Sequence, residues 1–382
     1  MDAAEIDPRV AGRAQGEYAD VVRAFADGVR EPERSGAALS LWRDGREVVN
    51  LWTGVADERD GTPWREHTRS VVFSATKGMS ALVVALLVER GLVDLEAPVA
   101  ALWPEFAAHG KERLTIGDAL AHRAGLSAPD SDLTLDDMRD RRAWAERVAA
   151  QAPLWEPGAG HAYHAVTYGL LAEEIVRRAS GRELHELFAS EIAAPLGAEI
   201  TLHPDDATAD AAARLVASPV WAAASIPDPT IARAVTLGSA MPVTLVDGDA
   251  GFNSREVRTL GLAGAGGIGT ASALGRIWSA TVVETRGVRL IDDATRAALT
   301  RPRSEGPWVL DMPGPYQRWG AGVELSSEAA PMLSPRSFGH GGAGGQAAFA
   351  DPDTGIALGY VRNRLDVEDP MPPILTAIAR LV

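Results

Sequence analysis

Ser74-Ala75-Thr76-Lys77-Gly78-Met79-Ser80-Ala81-Leu82-Val83-Val84-Ala85-Leu86-Leu87 opens a segment, Ser74–Arg90, that is apolar on nearly every face and stops at Gly91. Such a segment reads as a helix buried on all sides and ended by a glycine. Ser74 and Lys77 stand three apart at its start, which places them on one helix face with Cβ atoms about 5–6 Å apart. An amine at Lys77 therefore reaches back to the Ser74 hydroxyl. Serine is a poor nucleophile until something accepts its proton, and a lysine can do so when burial lowers its pKa. The helix N-terminus also favours negative charge developing beside Ser74. The plainer reading of the same four residues is a helix cap followed by a lysine that snorkels to water. Composition bears on the choice. The chain has two lysines, Lys77 and Lys111, against 35 arginines. A lysine that persists against that bias is suspected of amine chemistry, which an always-protonated arginine cannot perform.

Two distant stretches hold further candidates. Tyr163 lies in His161-Ala162-Tyr163-His164-Ala165, after the turn Trp155-Glu156-Pro157-Gly158 and before a helical pattern. A loop phenol in that place can face a site, although a core ring with a satisfied hydroxyl has the same sequence. Gly339-His340-Gly341-Gly342-Ala343-Gly344-Gly345 carries five glycines ahead of a predicted strand. Glycine density lets backbone N–H groups approach a ligand closely, as an oxyanion hole requires. A flexible loop is the alternative.

Around these stretches the chain reads as strands at both ends and helices between. Ala37–Trp42 and Glu47–Thr53 alternate about Asp44-Gly45, a tight hairpin signal. Gln346–Ala350 and Gly355–Arg362 form a second hairpin about Asp351–Thr354, and Pro370–Val382 reads as a closing helix. Between them, Thr115–His122 has a Thr cap and a Gly125 stop. Thr134 and Asp137 form a capping box for a helix running towards Ala150. Val166–Ala179 ends at Gly181, and Glu183–Ala193 is closed by Pro195. The long region from Thr201 to Gly269 reads as irregular or short-helical. The expectation is an α+β body with a discontinuous α/β domain (1–70 and 270–382) and a mainly helical domain (71–269) carrying the nucleophile helix and the tyrosine.

With 382 residues, the chain is long enough for a large core. A formal charge of −15 argues against nucleic acid as a partner, because phosphate neutralisation needs clustered cations. The absence of cysteine excludes disulfides, thiolate metal sites and a cysteine nucleophile. Residues 1–29 read as a polar lead-in and an amphipathic helix with Val10, Tyr18, Val21, Val22, Phe25 and Val29 on one stripe, without the features of a secretory signal. The most apolar run, Met79–Val88, is too short to cross a bilayer. A soluble cytoplasmic protein without membrane partners is the expectation, with the oligomeric state left open.

Ser74-Ala75-Thr76-Lys77-Gly78, Tyr163 after Trp155-Glu156-Pro157-Gly158, and His340-Gly341-Gly342 occur in an order that resembles the class C β-lactamase-like serine hydrolases, and within them the family VIII carboxylesterases. Arg90–Leu95, Leu120–Leu126 and Phe338–Gly342 extend the resemblance across about Leu41 to Val361. It implies an antiparallel sheet flanked by helices plus an all-helical domain, with the active site in the cleft between them. It further implies Ser74 as nucleophile and Lys77 and Tyr163 as a shared base. In that role Lys77 either holds Tyr163 near its phenolate form or takes the proton itself. The N–H groups of Ser74 and Ala343 would form the oxyanion hole, and an acyl-Ser74 intermediate would follow.

The chain departs from β-lactamases where they carry a lysine that holds the substrate carboxylate, since it has His340 there. Its second motif, Tyr163-His164-Ala165, lacks their asparagine. Both departures favour neutral esters over anionic β-lactams, and the expected function is a carboxylesterase acting on small neutral esters with short acyl groups. His340, Gly341, Gly342 and His164 are the expected substrate-binding residues, with no cofactor and no metal. A β-lactamase, a D-amino-acid peptidase or amidase, and a catalytically idle binding paralogue remain the alternatives. Gly264–Gly269 matches a dinucleotide fingerprint literally, but no strand feeds it and no βαβ unit surrounds it. No serine fits the G-x-S-x-G elbow. His161 and His164 lack a third metal ligand and read as loop histidines beside Tyr163. Trp308 and Trp319 are candidate walls of an acyl or alcohol pocket.

Overall fold

The structure, a computed structural model, describes residues 7–382. The first hairpin forms as its sequence predicts. β2 (Gly36–Arg43) and β3 (Arg46–Asp57) pair antiparallel, with Asp44 and Gly45 both at positive φ in the turn. β1 (Ala11–Ala14) pairs the outer side of β3. From the other end of the chain come β4 (Arg318–Trp319), β5 (Glu324–Leu325), β6 (Phe338–Gly342), β7 (Gln346–Asp351) and β8 (Ile356–Arg362). The order β1-β3-β2-β8-β7-β6-β5-β4 is antiparallel throughout, and Thr62–Pro63 adds a short ninth strand beside β3. The two chain ends meet at β8 and β2, where Leu358 faces Leu41 and Tyr360 faces Leu39.

Alternation along these strands gives the sheet two apolar faces. Leu39, Leu41, Leu358 and Tyr360 pack against Val21, Val22 and Phe25 of α1 (Ala19–Gly28). Ile374 and Ile378 of the C-terminal helix Met371–Ala379 complete that layer. On the other face, Ala38, Trp42, Ala357 and Val361 join the main core with Leu274, Ile277 and Trp278 of the helix Ala271–Val282. That helix lies close to the sheet. A Cβ on Gly359 would stand 2.2 Å from the Ala271 carbonyl oxygen, so glycine is needed there.

α2 (Ala75–Glu89), with Ser74 at its N-cap, is wedged between this layer and the helical part of the chain. One side packs on the helix Thr167–Ser180, the other on β6, which explains why it is apolar all round. Gly78 permits the second contact. A Cβ there would lie 2.6 Å from Trp278 Cζ2 and 3.2 Å from the His340 Cβ. Among the described residues no helix is long and apolar enough to cross a membrane.

Four local expectations are corrected. The N-terminal lead-in contains strand β1, too short and too polar to register as a strand; its first residues, 1–6, lie outside the described residues. The helix opened by the Thr134–Asp137 capping box stops at Arg139, because Asp140 leaves the helix and caps a second one, Arg141–Ala150, by accepting from the Ala143 N–H. The helix after Glu183 is not closed by Pro195. It widens into a π turn at Phe188–Ala193, continues through Pro195 to Leu196, and ends at Gly197 with φ +57°. Such single-turn π segments, though rare, occur mostly inside α-helices, as here. Finally, Gly339–Gly342 is not loop but part of β6, and only residues 343–345 turn.

Candidate active site

Phe73 sets the position of Ser74. It has φ +45°, a costly conformation for a bulky residue, and it turns the chain so that Ser74 (φ −66°, ψ −12°) enters the helix. One turn on, Lys77 is completely buried. Its Nζ has three neighbours: the Ala165 carbonyl at 2.7 Å, the Gly264 carbonyl at 2.7 Å and Ser74 Oγ at 3.2 Å. The two carbonyls can only accept hydrogen bonds, so they take two N–H groups. A neutral amine then has its lone pair left for the hydroxyl. Burial holds the ammonium well below the usual lysine range, and the opposing attraction of Glu324 is the smaller effect.

Tyr163 stands over the same amine, with Lys77 Nζ 4.7 Å from its ring centroid. Burial pushes the phenol above its ordinary range, and the neighbouring Ser74 hydroxyl opposes the rise. Tyr163 therefore stays protonated at neutral pH. Its ring stacks on Trp319 (5.4 Å) and Trp308 (6.3 Å), and His122 packs beside it at 4.7 Å.

The glycine-rich strand completes the site from the other side. A Cβ on Gly342 would come 2.5 Å from the Val72 carbonyl oxygen, so bare glycine lets β6 touch the chain just ahead of Ser74. Two lobes meet at Ser74, Tyr163, Trp308 and Ala343. One, of about 390 Å³, runs along β6 and is lined by His340, Gly341, Gly342, Trp319 and Glu324 among others. The second, of about 270 Å³, is almost wholly apolar, with Phe73, Ile231, Met241, Leu245 and Phe252. Neither the Ser74 nor the Ala343 backbone N–H has a backbone partner among the described residues.

The sequence-predicted residues do not all converge. Ser74, Lys77, Tyr163, His340, Gly341, Gly342 and Ala343 share this place. His164 does not. It is fully buried behind Tyr163, its Nδ1 bonded to the Ala162 carbonyl (2.8 Å) and its Nε2 accepting from the Leu126 N–H (3.1 Å), so no ring nitrogen is left for a substrate. His161 also lies inside, 3% exposed. Lys111 is a structural clamp on the Ala108 and Gln151 carbonyls. Sequence reasoning missed Glu324, whose buried carboxyl accepts from the Gly341 N–H at 2.9 Å and is pushed up to about 7 by burial. Its signal was an acid set in the apolar run Ala321-Gly322-Val323-Glu324-Leu325. Also missed was the Gly264 carbonyl, which gives the nucleotide-like glycine run its purpose as half of the lysine cradle.

The helix that begins at Ser74 packs under an antiparallel sheet flanked by helices, the fold the family resemblance implied, and the β-lactamase family domain matches residues 21–381. The chain belongs to the β-lactamase family. A curated relative, the esterase/beta-lactamase LipL of Mycobacterium tuberculosis, is 35% identical over 386 residues, covering 95% of this chain and 85% of LipL. The solved structure of a family VIII carboxylesterase superposes with a TM-score of 0.85 at 29% identity, over the whole of both chains. A penicillin-binding-protein homologue from Caulobacter crescentus superposes with a TM-score of 0.83 at 31% identity, covering 99% of this chain and 98% of its own. Within this β-lactamase-family site, the cavity beside Ser74 is lined by the neutral His340. Burial, chiefly, and the nearby Lys77 push its imidazole down to about 3.

Proposed function

We propose that this β-lactamase-family chain is a serine carboxylesterase that hydrolyses small uncharged esters with short acyl groups through an acyl-Ser74 intermediate. The observation that carries the reading is the lone-pair geometry at Lys77. With two N–H groups given to the Ala165 and Gly264 carbonyls, a neutral amine has its third direction aimed at Ser74 Oγ. Of the two ways in which Lys77 and Tyr163 could share the base role, this favours Lys77 taking the proton itself. Burial keeps the Tyr163 phenol protonated rather than phenolate.

Ser74 Oγ attacks the ester carbonyl carbon while its proton passes to Lys77 Nζ. The carbonyl oxygen becomes an oxyanion held by the Ser74 and Ala343 N–H groups. Collapse breaks the bond to the alcohol oxygen, which leaves with the proton from Lys77 relayed by the Tyr163 hydroxyl. A water then gives its proton to the same amine, attacks the acyl carbon and frees Ser74. The apolar lobe suits the acyl chain. Among the described residues no lysine or arginine lines either lobe, which disfavours anionic β-lactams.

The test is turnover of p-nitrophenyl butyrate by wild type and by Ser74→Ala, with nitrocefin as comparison. Turnover lost in the variant, with nitrocefin slow or untouched, is expected. Persistent ester turnover in Ser74→Ala overturns the proposal.

A further inference from the structure

The lobe along β6 holds two buried side-chain acceptors, Glu324 and His340, beside the indole N–H groups of Trp308 and Trp319, unpartnered among the described residues. Glu324 is 6% exposed and lines this lobe, with one oxygen engaged by the Gly341 N–H. His340, 2% exposed, has its Nδ1 2.6 Å from the Gly341 carbonyl oxygen. A carbonyl only accepts, so Nδ1 carries the proton and Nε2 is a bare acceptor. That Nε2 is buried and has no hydrogen-bond partner among the described residues. A buried unpartnered acceptor costs free energy, and it lies in the wall of a cavity that a ligand can enter. The remaining walls are the rings of Trp308, Trp319 and Tyr163, with Gln317 and Gln346 as neutral polar groups and Asp369 at the exposed rim. Rings of this kind attract cations through their faces. Among the described residues no lysine or arginine lines this lobe, and burial drives the adjacent Lys77 towards the neutral form.

We propose that this lobe selects esters bearing a protonated amine, whose N–H is accepted by His340 Nε2 and whose charge is balanced by Glu324 between the Tyr163 and tryptophan rings. The inference rests on the esterase reading and sharpens it. Uncharged esters are turned over, and an ammonium on the half of the substrate lying along β6 adds transition-state affinity. A ligand cation also takes over part of the attraction that Glu324 otherwise exerts on Lys77, which leaves the amine freer to stay neutral.

The experiment uses isosteric pairs at pH 7: 2-(dimethylamino)ethyl butyrate against 3-methylbutyl butyrate, and ethyl 4-(dimethylamino)butyrate against ethyl 5-methylhexanoate. Each pair differs by N–H⁺ for C–H, the first in the alcohol and the second in the acyl group. In at least one pair the kcat/KM of the cationic ester is expected to exceed that of its isostere by at least about tenfold, the low end of what a hydrogen bond to a charged group contributes. The pair that shows it identifies which half of the ester lies along β6. In Glu324→Gln the ratio within that pair is expected to fall to about 1, whatever happens to each rate, and in Glu324→Asp part of it is retained. Ratios near or below 1 in both pairs of the wild type overturn the inference while leaving the esterase reading intact. No turnover of any of the four esters, or turnover surviving in Ser74→Ala, overturns the esterase reading instead.

Discussion

Replacing Lys77 by methionine isolates the consequence of burying an amine. Hydrogen-bonded to two carbonyls and a hydroxyl, Lys77 is held well below the usual lysine range by burial. The unfolded chain keeps the ordinary value of about 10.4. Below the folded value both states carry the proton, and the full cost of burying the charge is present. As the pH climbs from the folded value to about 10.4, only the unfolded state binds the proton, so that cost shrinks and then vanishes. Within that window wild type gains about 1.36 kcal/mol per pH unit, and methionine, which does not titrate, gains nothing. For 382 residues at about 2.1 cal/mol/K each, the unfolding entropy is roughly 0.8 kcal/mol/K, so the slope corresponds to about 1.7 °C in Tm per pH unit. Between pH 8 and 10 Glu324, with its value of about 7, is already ionised and adds only a constant. Scanning calorimetry of both proteins at pH 8, 9 and 10 is expected to show the difference in Tm moving in wild type's favour at that rate. A constant difference refutes the reasoning: Lys77 would then titrate like a solvated amine and be protonated at neutral pH, unable to take the Ser74 proton.

Three further outcomes follow from the same geometry. Tyr163→Phe keeps the ring stacked on Trp319 and Trp308 and is expected to lower kcat on p-nitrophenyl butyrate by about 10² or more without a change in circular dichroism; an unchanged kcat would remove the phenol from proton transfer. Gly78→Ala puts a methyl 2.6 Å from Trp278 Cζ2, which should destabilise by about 1–3 kcal/mol in a urea titration; a wild-type midpoint would contradict the close packing of α2 on the sheet. Glu324→Gln removes a carboxylate that favours the charged form of Lys77, so the acid limb of kcat/KM is expected to move to lower pH. A limb that stays in place or moves up would break the link between those two groups.

Much of this protein is local in origin, and that part was legible from the chain itself. Asp44-Gly45 and Asp351–Thr354 specify hairpins by turn chemistry, and Thr115 and Thr134 cap helices through hydrogen bonds spanning three residues. Ser74 and Lys77 are neighbours because a helix has 3.6 residues per turn. An all-apolar helix beginning with a rare lysine already marked a buried amine. The motif order pointed to Tyr163 and the β6 glycines. Tertiary structure alone decided the state and aim of those groups. Ala165 and Gly264, 88 and 187 positions from Lys77, set the direction of its lone pair. Glu324 reaches the site because β5 pairs with β6, and His164 is excluded because Leu126 and Ala162 occupy both its nitrogens. The physical reason is one of range: turns and caps close over three or four residues, whereas desolvation and the sharing of hydrogen bonds depend on which distant segments arrive around a buried atom.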